Sequence, residues 1–97
     1  MDPSETDLGR ALMLDANAAA GLLAEVFGTE MTAELTECAH CGHEAEVGEL
    51  LAFTQAPGVV LRCRACENVM LRIVRTPRGI HLDARGAVYL SVHHPST

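Results

Sequence analysis

The 97-residue chain has few aromatic residues and no lysine. Phe27, Phe53 and Tyr89 are its only aromatic side chains, and tryptophan is absent. Because large rings normally supply much of the buried area, the interior must be built from Ala, Val, Leu, Ile and Met. A single domain of this size therefore benefits from an extra crosslink such as a bound metal ion.

The sequence also lacks segments typical of export or membrane insertion. Its first seven residues are acidic and contain neither the basic nor the apolar stretch of a signal peptide. No apolar run approaches the roughly 20 residues of a membrane-spanning helix. We therefore expect a cytoplasmic protein, in which thiols stay reduced and a metal site is favoured over disulfides. Two oxidised cysteine pairs remain the alternative.

Charge is divided unevenly along the chain. Residues 1–50 contain eleven acidic residues and one arginine, whereas residues 51–97 contain six arginines and two acidic residues. The net charge of −6 argues against non-specific nucleic-acid binding, which requires neutralisation of phosphates. A local arginine face could still bind an acidic partner or the chain's own acidic half.

The four cysteines form two matched pairs, Cys38 with Cys41 and Cys63 with Cys66, in the pattern C-x2-C-x21-C-x2-C. Two tight turns at this spacing can bring four thiolates to one tetrahedral ion, while the intervening residues run out and back as a hairpin. We predict a structural Zn²⁺ site, closed because four thiolates leave no open position. Iron is the alternative ion.

Other residues near the cysteines have simpler explanations. His40 and His43 are expected to be exposed turn residues, with ligand exchange as a minor alternative. Arg62 and Arg64 flank Cys63 and are expected to offset the thiolate charge, through N–H···S contacts or by proximity.

The periodicity predicts an α+β, mostly β fold, with an N-terminal helix packed on a small antiparallel sheet of about five strands. The predicted domain covers residues 11–92, with a disordered acidic tail at 1–10 and a frayed tail at 93–97. The helix is predicted over 12–27, capped by Asp15 and ended by Gly28. Strands are predicted at 31–37, 44–54, 59–62, 68–75, 80–83 and 87–92.

The predicted helix has two distinct faces. One is an apolar stripe formed by Ala19, Leu22, Leu23, Val26 and Phe27. A neighbouring face is small and almost featureless, formed by Ala20, Gly21 and Ala24. We expect this small face to pack closely on the chain's own sheet, with a helix-to-helix homodimer as the alternative.

The cysteine spacing resembles that of a zinc ribbon, in which two zinc knuckles clamp one end of an antiparallel sheet. The segments LDANAAAG at 14–21, EVFG at 25–28, APGVVLRC at 56–63 and LRIVRTP at 71–77 further resemble a family of short actinobacterial proteins. These bacterial proteins carry a helix before a four-cysteine ribbon and have no assigned function. The resemblance covers about residues 12–92 and implies the fold and the Zn²⁺, without an activity.

The second cysteine turn departs from the common knuckle pattern. Gly42 follows Cys41, but Glu67 follows Cys66, with Asn68 next. After glycine, asparagine is the residue that best tolerates the left-handed backbone this turn requires.

The sequence offers no catalytic constellation. A zinc deaminase would require H-x-E before P-C-x-x-C, and a thioredoxin-like pair would open a helix after a strand. Neither pattern fits, so we expect a protein that is not an enzyme.

The function predicted from the sequence is a zinc-stabilised binding or adaptor module for a protein partner, with no membrane role. The alternative is binding of nucleic acid or transcription machinery through an arginine face formed by Arg62, Arg64, Arg72 and Arg75. A thiol-based zinc or redox sensor is the third hypothesis. Salt dependence, nuclease resistance and metal release by peroxide distinguish the three.

Overall fold

The computed structural model describes residues 13–54 and 58–93. Most of the predicted tails, at 1–10 and 94–97, lies outside these ranges. Within them the chain forms one α-helix, two 3-10 helices and eight strands. The elements are β1 (Met13–Asp15), a first 3-10 helix (Ala16–Ala19), α1 (Ala20–Phe27), β2 (Leu35–Cys38), β3 (Glu44–Glu46), a second 3-10 helix (Val47–Glu49), β4 (Leu51–Phe53), β5 (Gly58–Arg62), β6 (Val69–Thr76), β7 (Gly79–Asp83) and β8 (Ala87–Leu90).

The strands form two antiparallel sheets. The large sheet has the order β1-β4-β5-β6-β7, and the small sheet has the order β3-β2-β8. This confirms the α+β, mostly β class. The prediction of a single sheet of about five strands was wrong, because the strands form two sheets. The second 3-10 helix interrupts the predicted strand 44–54, because Val47 and Gly48 donate backbone N–H groups to the carbonyls of Glu34 and Thr32. The chain therefore changes sheets at this point.

The predicted helix 12–27 begins later than expected. Residues 13–15 pair with residues 51–53 as an edge strand, and the α-helix starts only at Ala20, so Asp15 is not its N-cap. Sheet pairing here overrides the helical propensity of an alanine-rich segment. The predicted end is confirmed, since Gly28 has φ +76° and donates its N–H to the Ala24 carbonyl at 2.8 Å.

The core lies between the helical segment and the large sheet. Ala16, Ala19 and Leu23 are buried against sheet residues, and Leu22, Val26 and Phe27 pack partly against them, which confirms the predicted apolar stripe. The sheet contributes Leu61, Leu71 and Ile73, all fully buried. Cys38 and Cys63 belong to the same cluster. The cysteine site is therefore continuous with the hydrophobic core.

Among the described residues, no helix has the length and apolar character needed to cross a membrane.

Candidate metal centre

The first cysteine turn lies between β2 and β3 of the small sheet. Cys38 donates its backbone N–H to the carbonyl of His43 at 2.9 Å, and Gly42 donates to the carbonyl of Cys38 at 2.9 Å. Gly42 has φ +78°, a left-handed conformation that glycine adopts without steric cost. The turn thus folds back and directs two sulfurs to the same side.

The second turn, between β5 and β6 of the large sheet, repeats this pattern. Cys63 donates its backbone N–H to the carbonyl of Asn68 at 2.9 Å, and Glu67 donates to the carbonyl of Cys63 at 2.8 Å. Glu67 occupies the position equivalent to Gly42 and has φ +63°. The left-handed residue is therefore Glu67 itself, and not the asparagine that follows it.

Asn68 instead contacts a cysteine. Its side-chain Nδ2 donates to Cys66 Sγ at 3.3 Å. Sequence reasoning missed this role, although an amide side chain two residues after a ligand is a signal that could have indicated it. Asn68 therefore binds the sulfur through its side chain, while Glu67 has the left-handed backbone.

The four predicted cysteines converge. Cys38 Sγ lies 3.6 Å from Cys66 Sγ, and Cys41 Sγ lies 3.7 Å from Cys63 Sγ. All four sulfurs lie within 4.8 Å of one another. Metal–sulfur bonds of about 2.3 Å in a tetrahedron give sulfur–sulfur edges of about 3.8 Å, so this geometry fits an ion with four thiolate ligands. The short distances join one turn to the other, so an ion bound by these sulfurs would lie between the two sheets.

Backbone amides are directed at the sulfurs in both turns. His40 donates its N–H to Cys38 Sγ at 3.4 Å, and Ala65 donates to Cys63 Sγ at 3.3 Å. These two bonds occupy equivalent positions, two residues after the first cysteine of each pair. Hydrogen bonds of this kind stabilise the thiolate form and orient metal ligands.

The thiols differ in acidity. Backbone and side-chain N–H donors of Asn68 lower the pKa of Cys66 to about 6. The His43 backbone N–H lowers the pKa of Cys41, but desolvation and the three neighbouring thiols outweigh it and raise that pKa to about 12. Four thiolates this close repel one another, so a cation is required to hold them all deprotonated.

The two sulfurs of each pair are not equally accessible. Cys38 and Cys63 are buried, Cys66 is half-buried and Cys41 is exposed. The site therefore has an inner side in the core and an outer side facing solvent.

The predicted arginine contacts with sulfur are not formed. Arg64 Nε donates to the Glu49 carbonyl at 2.7 Å, and Arg62 Nη1 donates to the Glu67 carbonyl at 2.9 Å. The Arg62 guanidinium also lies over the Phe53 ring, 5.4 Å from its centroid. Arg62 thus fixes the backbone of the second turn, and Arg64 connects that turn to the second 3-10 helix, instead of neutralising the thiolates by hydrogen bonding.

The four predicted face arginines do not form one surface. Arg75 makes two hydrogen bonds to Glu25 of α1, at 2.8 and 2.5 Å, while Arg72 lies opposite Asp83 in the β6–β7 register. Arg72 and Arg75 are three positions apart on one strand, so their side chains leave opposite faces. With Arg62 and Arg64 bound to carbonyls, the structure separates the four into different local contacts.

The remaining candidate positions are exposed. His40 and His43 are exposed residues of the first turn. Gly21 is exposed too, and apart from its chain neighbours and the backbone of its own helix, no heavy atom of the described residues lies within 4 Å of where its Cβ would be. The prediction that the small helix face packs closely on the chain's own sheet was therefore wrong at Gly21.

Fold and site together define a small α+β protein with two antiparallel sheets and a four-cysteine centre that could hold a metal ion. The chain belongs to a family of unknown function, DUF6510, whose model matches residues 7–95. Searches of curated proteins and of solved structures found no match.

Proposed function

We propose that the protein is a non-catalytic zinc-binding module of the cytoplasm that acts as an adaptor for a protein partner. The convergence of four sulfurs from two turns on different sheets carries this proposal. An ion at this point crosslinks the small sheet to the large one. Its structural role follows from that position.

Zinc is the proposed ion because the donor set matches a closed structural site. Zn²⁺ has no geometric preference of its own and accepts a tetrahedron of thiolates, whereas catalytic zinc keeps one position for water. Iron is compatible with the same donors and is the competing ion. With all four positions filled by cysteine, the site offers no place for substrate, which supports a protein that is not an enzyme.

Native mass spectrometry of the full chain, before and after chelation, tests the proposal by giving the mass and stoichiometry of the metal. We expect one zinc per chain. Cys63→Ser should abolish stable metal binding, because it removes a buried ligand. His43→Ala is the matched control, since it changes a side chain in the other turn outside the four-sulfur set. Equal metal loss in both variants, or a chain that retains no zinc, would contradict the proposal.

A protein partner is favoured over nucleic acid by the state of the arginines. Arg62, Arg64 and Arg75 have intramolecular hydrogen bonds, and the Phe53 ring is covered by Arg62. Few guanidinium groups and few aromatic faces thus remain for phosphates and bases. An adaptor should retain its partner after nuclease treatment, whereas a nucleic-acid binder should lose affinity steeply with salt.

A zinc or redox sensor is the second candidate, favoured by the exposure of Cys41 and by the lowered pKa of the half-buried Cys66. Thiolates are oxidised according to their exposure and acidity. Mild peroxide should release zinc quickly from a sensor, whereas a purely structural site should retain it.

A further inference from the structure

A cleft of about 250 Å³ lies beside the first cysteine turn, where β6 meets the turn between β7 and β8. Its polar lining consists of three basic side chains, those of His40, Arg72 and Arg85, and one carboxylate, Asp83. With two arginines against one carboxylate, positive charge is thus concentrated here, although the whole chain has a net charge of −6. The metal site does not account for this concentration.

The backbone around Gly86 fixes the shape of the cleft. The register of β5 and β6 shifts next to Met70, and Gly86 packs directly on that irregularity. A Cβ at Gly86 would lie 1.9 Å from the Val69 carbonyl oxygen. The Gly86 carbonyl also accepts the Ala39 N–H at 2.8 Å. Gly86 therefore holds β6, the β7–β8 turn and the first cysteine turn together.

Asp83 is already committed to one of the two arginines. Both of its carboxylate oxygens accept from the Arg85 side chain, the shortest contact being Nη2 to Oδ2 at 2.6 Å, and Oδ1 also accepts the Arg85 backbone N–H. These hydrogen bonds, followed by the charges of Arg85 and Arg72, lower the pKa of Asp83 to about 2. The carboxylate therefore stays ionised and bound to Arg85.

Arg72 acts on Asp83 only through its charge. It lies opposite Asp83 across the strands but makes no hydrogen bond or ion pair with any residue that the structure describes. Arg85 is 91% exposed in its side chain, and of its five N–H donors Asp83 uses only those on Nε and Nη2. Donors from two arginines thus remain available around one cleft.

We propose that this cleft binds a phosphate group between Arg72 and Arg85. A ligand with a carboxylate would repeat the interaction that Asp83 already makes with Arg85, and its main new contact would be with Arg72. A phosphate monoester has a charge of about −1.5 to −2 and three acceptor oxygens, so it can bridge both guanidinium groups while Asp83 stays in place. The cleft is smaller than the roughly 300–1,000 Å³ of pockets that enclose whole ligands, so only the phosphate end enters.

The test is a titration of the isotope-labelled, metal-loaded full chain with inorganic phosphate at constant ionic strength, followed by amide NMR shifts. We expect saturable shifts confined to the cleft, at His40, Arg72 and residues 83–86, and none with acetate. Arg72→Gln should weaken phosphate binding about tenfold, as expected for a lost charge-assisted hydrogen bond. Arg72→Lys should retain part of the affinity, because it keeps the charge without the planar fork.

Arg78→Gln is the matched control. Arg78 lies in the turn between β6 and β7, at the far end of β7 from the cleft, and its removal changes the net charge equally. It should leave phosphate affinity within about twofold. Equal weakening by Arg78→Gln and Arg72→Gln, or equal shifts with acetate, would show general charge attraction and overturn the proposal. Adenosine monophosphate and phosphoserine, titrated in parallel, distinguish a nucleotide phosphate from a phosphorylated side chain by which binds more tightly.

Discussion

The two cysteine turns have matching backbone hydrogen bonds but belong to sheets of different size. The first belongs to the three-stranded small sheet and has Gly42 at its left-handed position, whereas the second belongs to the five-stranded large sheet and has Glu67 there. Arg62 and Arg64 bind carbonyls around the second turn. A turn on a well-supported sheet thus tolerates a strained residue, while the more weakly supported turn uses glycine.

Of the changes considered, removal of the proposed metal should give the largest difference in stability between the two sheets. The large sheet contains most of the buried apolar residues, whereas the small sheet buries little beyond Thr36, Cys38 and Ala45. A structural zinc contributes about 10–16 kcal/mol of apparent binding free energy, which is comparable to the whole stability of a small domain. Hydrogen exchange after chelation should therefore accelerate first in β2 and β3 and less in β5 and β6. Equal acceleration in both sheets would contradict this difference in support.

Acidification should have the next largest effect, which is a loss of zinc affinity. Ordinary thiols have a pKa of about 8.5, and the metal-bound state keeps all four deprotonated. Folded-state pKa values that are depressed by the metal contribute stability at higher pH, and this contribution is lost as the pH falls. Even Cys66, whose pKa is lowered to about 6 without metal, would take up a proton below that value. Zinc affinity measured by chelator competition should fall steadily from about pH 8 to pH 5. An affinity independent of pH would argue against thiolate ligation.

The left-handed positions should respond in opposite directions to substitution. Gly42→Ala places a Cβ at φ +78° and should destabilise the protein by about 1 kcal/mol. Glu67→Gly relieves φ +63° and should stabilise it by up to about 1 kcal/mol. Chemical denaturation of both variants with zinc bound is the measurement. Destabilisation by Glu67→Gly would mean that the Glu67 side chain matters more than its backbone.

Loss of the Arg62 contacts beside the second turn should have the smallest effect on stability. Arg62→Gln removes the hydrogen bond to the Glu67 carbonyl and the contact with the Phe53 ring. Each contact contributes about 0.5–1 kcal/mol when partly exposed, so we expect a loss of about 1 kcal/mol in chemical denaturation. In the background of Glu67→Gly the loss should be smaller, because the strained backbone no longer needs support. The exposed Arg78→Gln is the control and should be neutral.

The parts of the fold that depend on local spacing could be predicted from the sequence. A C-x2-C pair fixes two sulfurs on one turn, so the convergence of four sulfurs could be predicted from two such turns, although the chain between them changes sheets instead of forming the predicted hairpin. The end of α1 at Gly28 was predicted because a left-handed cap is also a local property.

Features that depend on distant pairing could not be predicted in this way. Residues 13–15 are a strand only because β4 is available to pair with them, and the small sheet exists because β8 returns to β2. Arg62 and Arg64 bind carbonyl oxygens, which every residue has and no sequence pattern marks. The packing of Gly86 on β6 could not be predicted either, because glycine is common in turns whether or not another strand packs on it.

The unequal exposure of the cysteines affects how a metal ion would enter the site. Cys38 and Cys63 lie within the core, while Cys41 is open to solvent. We therefore expect an arriving ion to meet Cys41 first and a competing chelator to approach from the same side. Substitutions beside Cys41 should therefore change the rates of metal uptake and loss more than substitutions beside the buried Cys63.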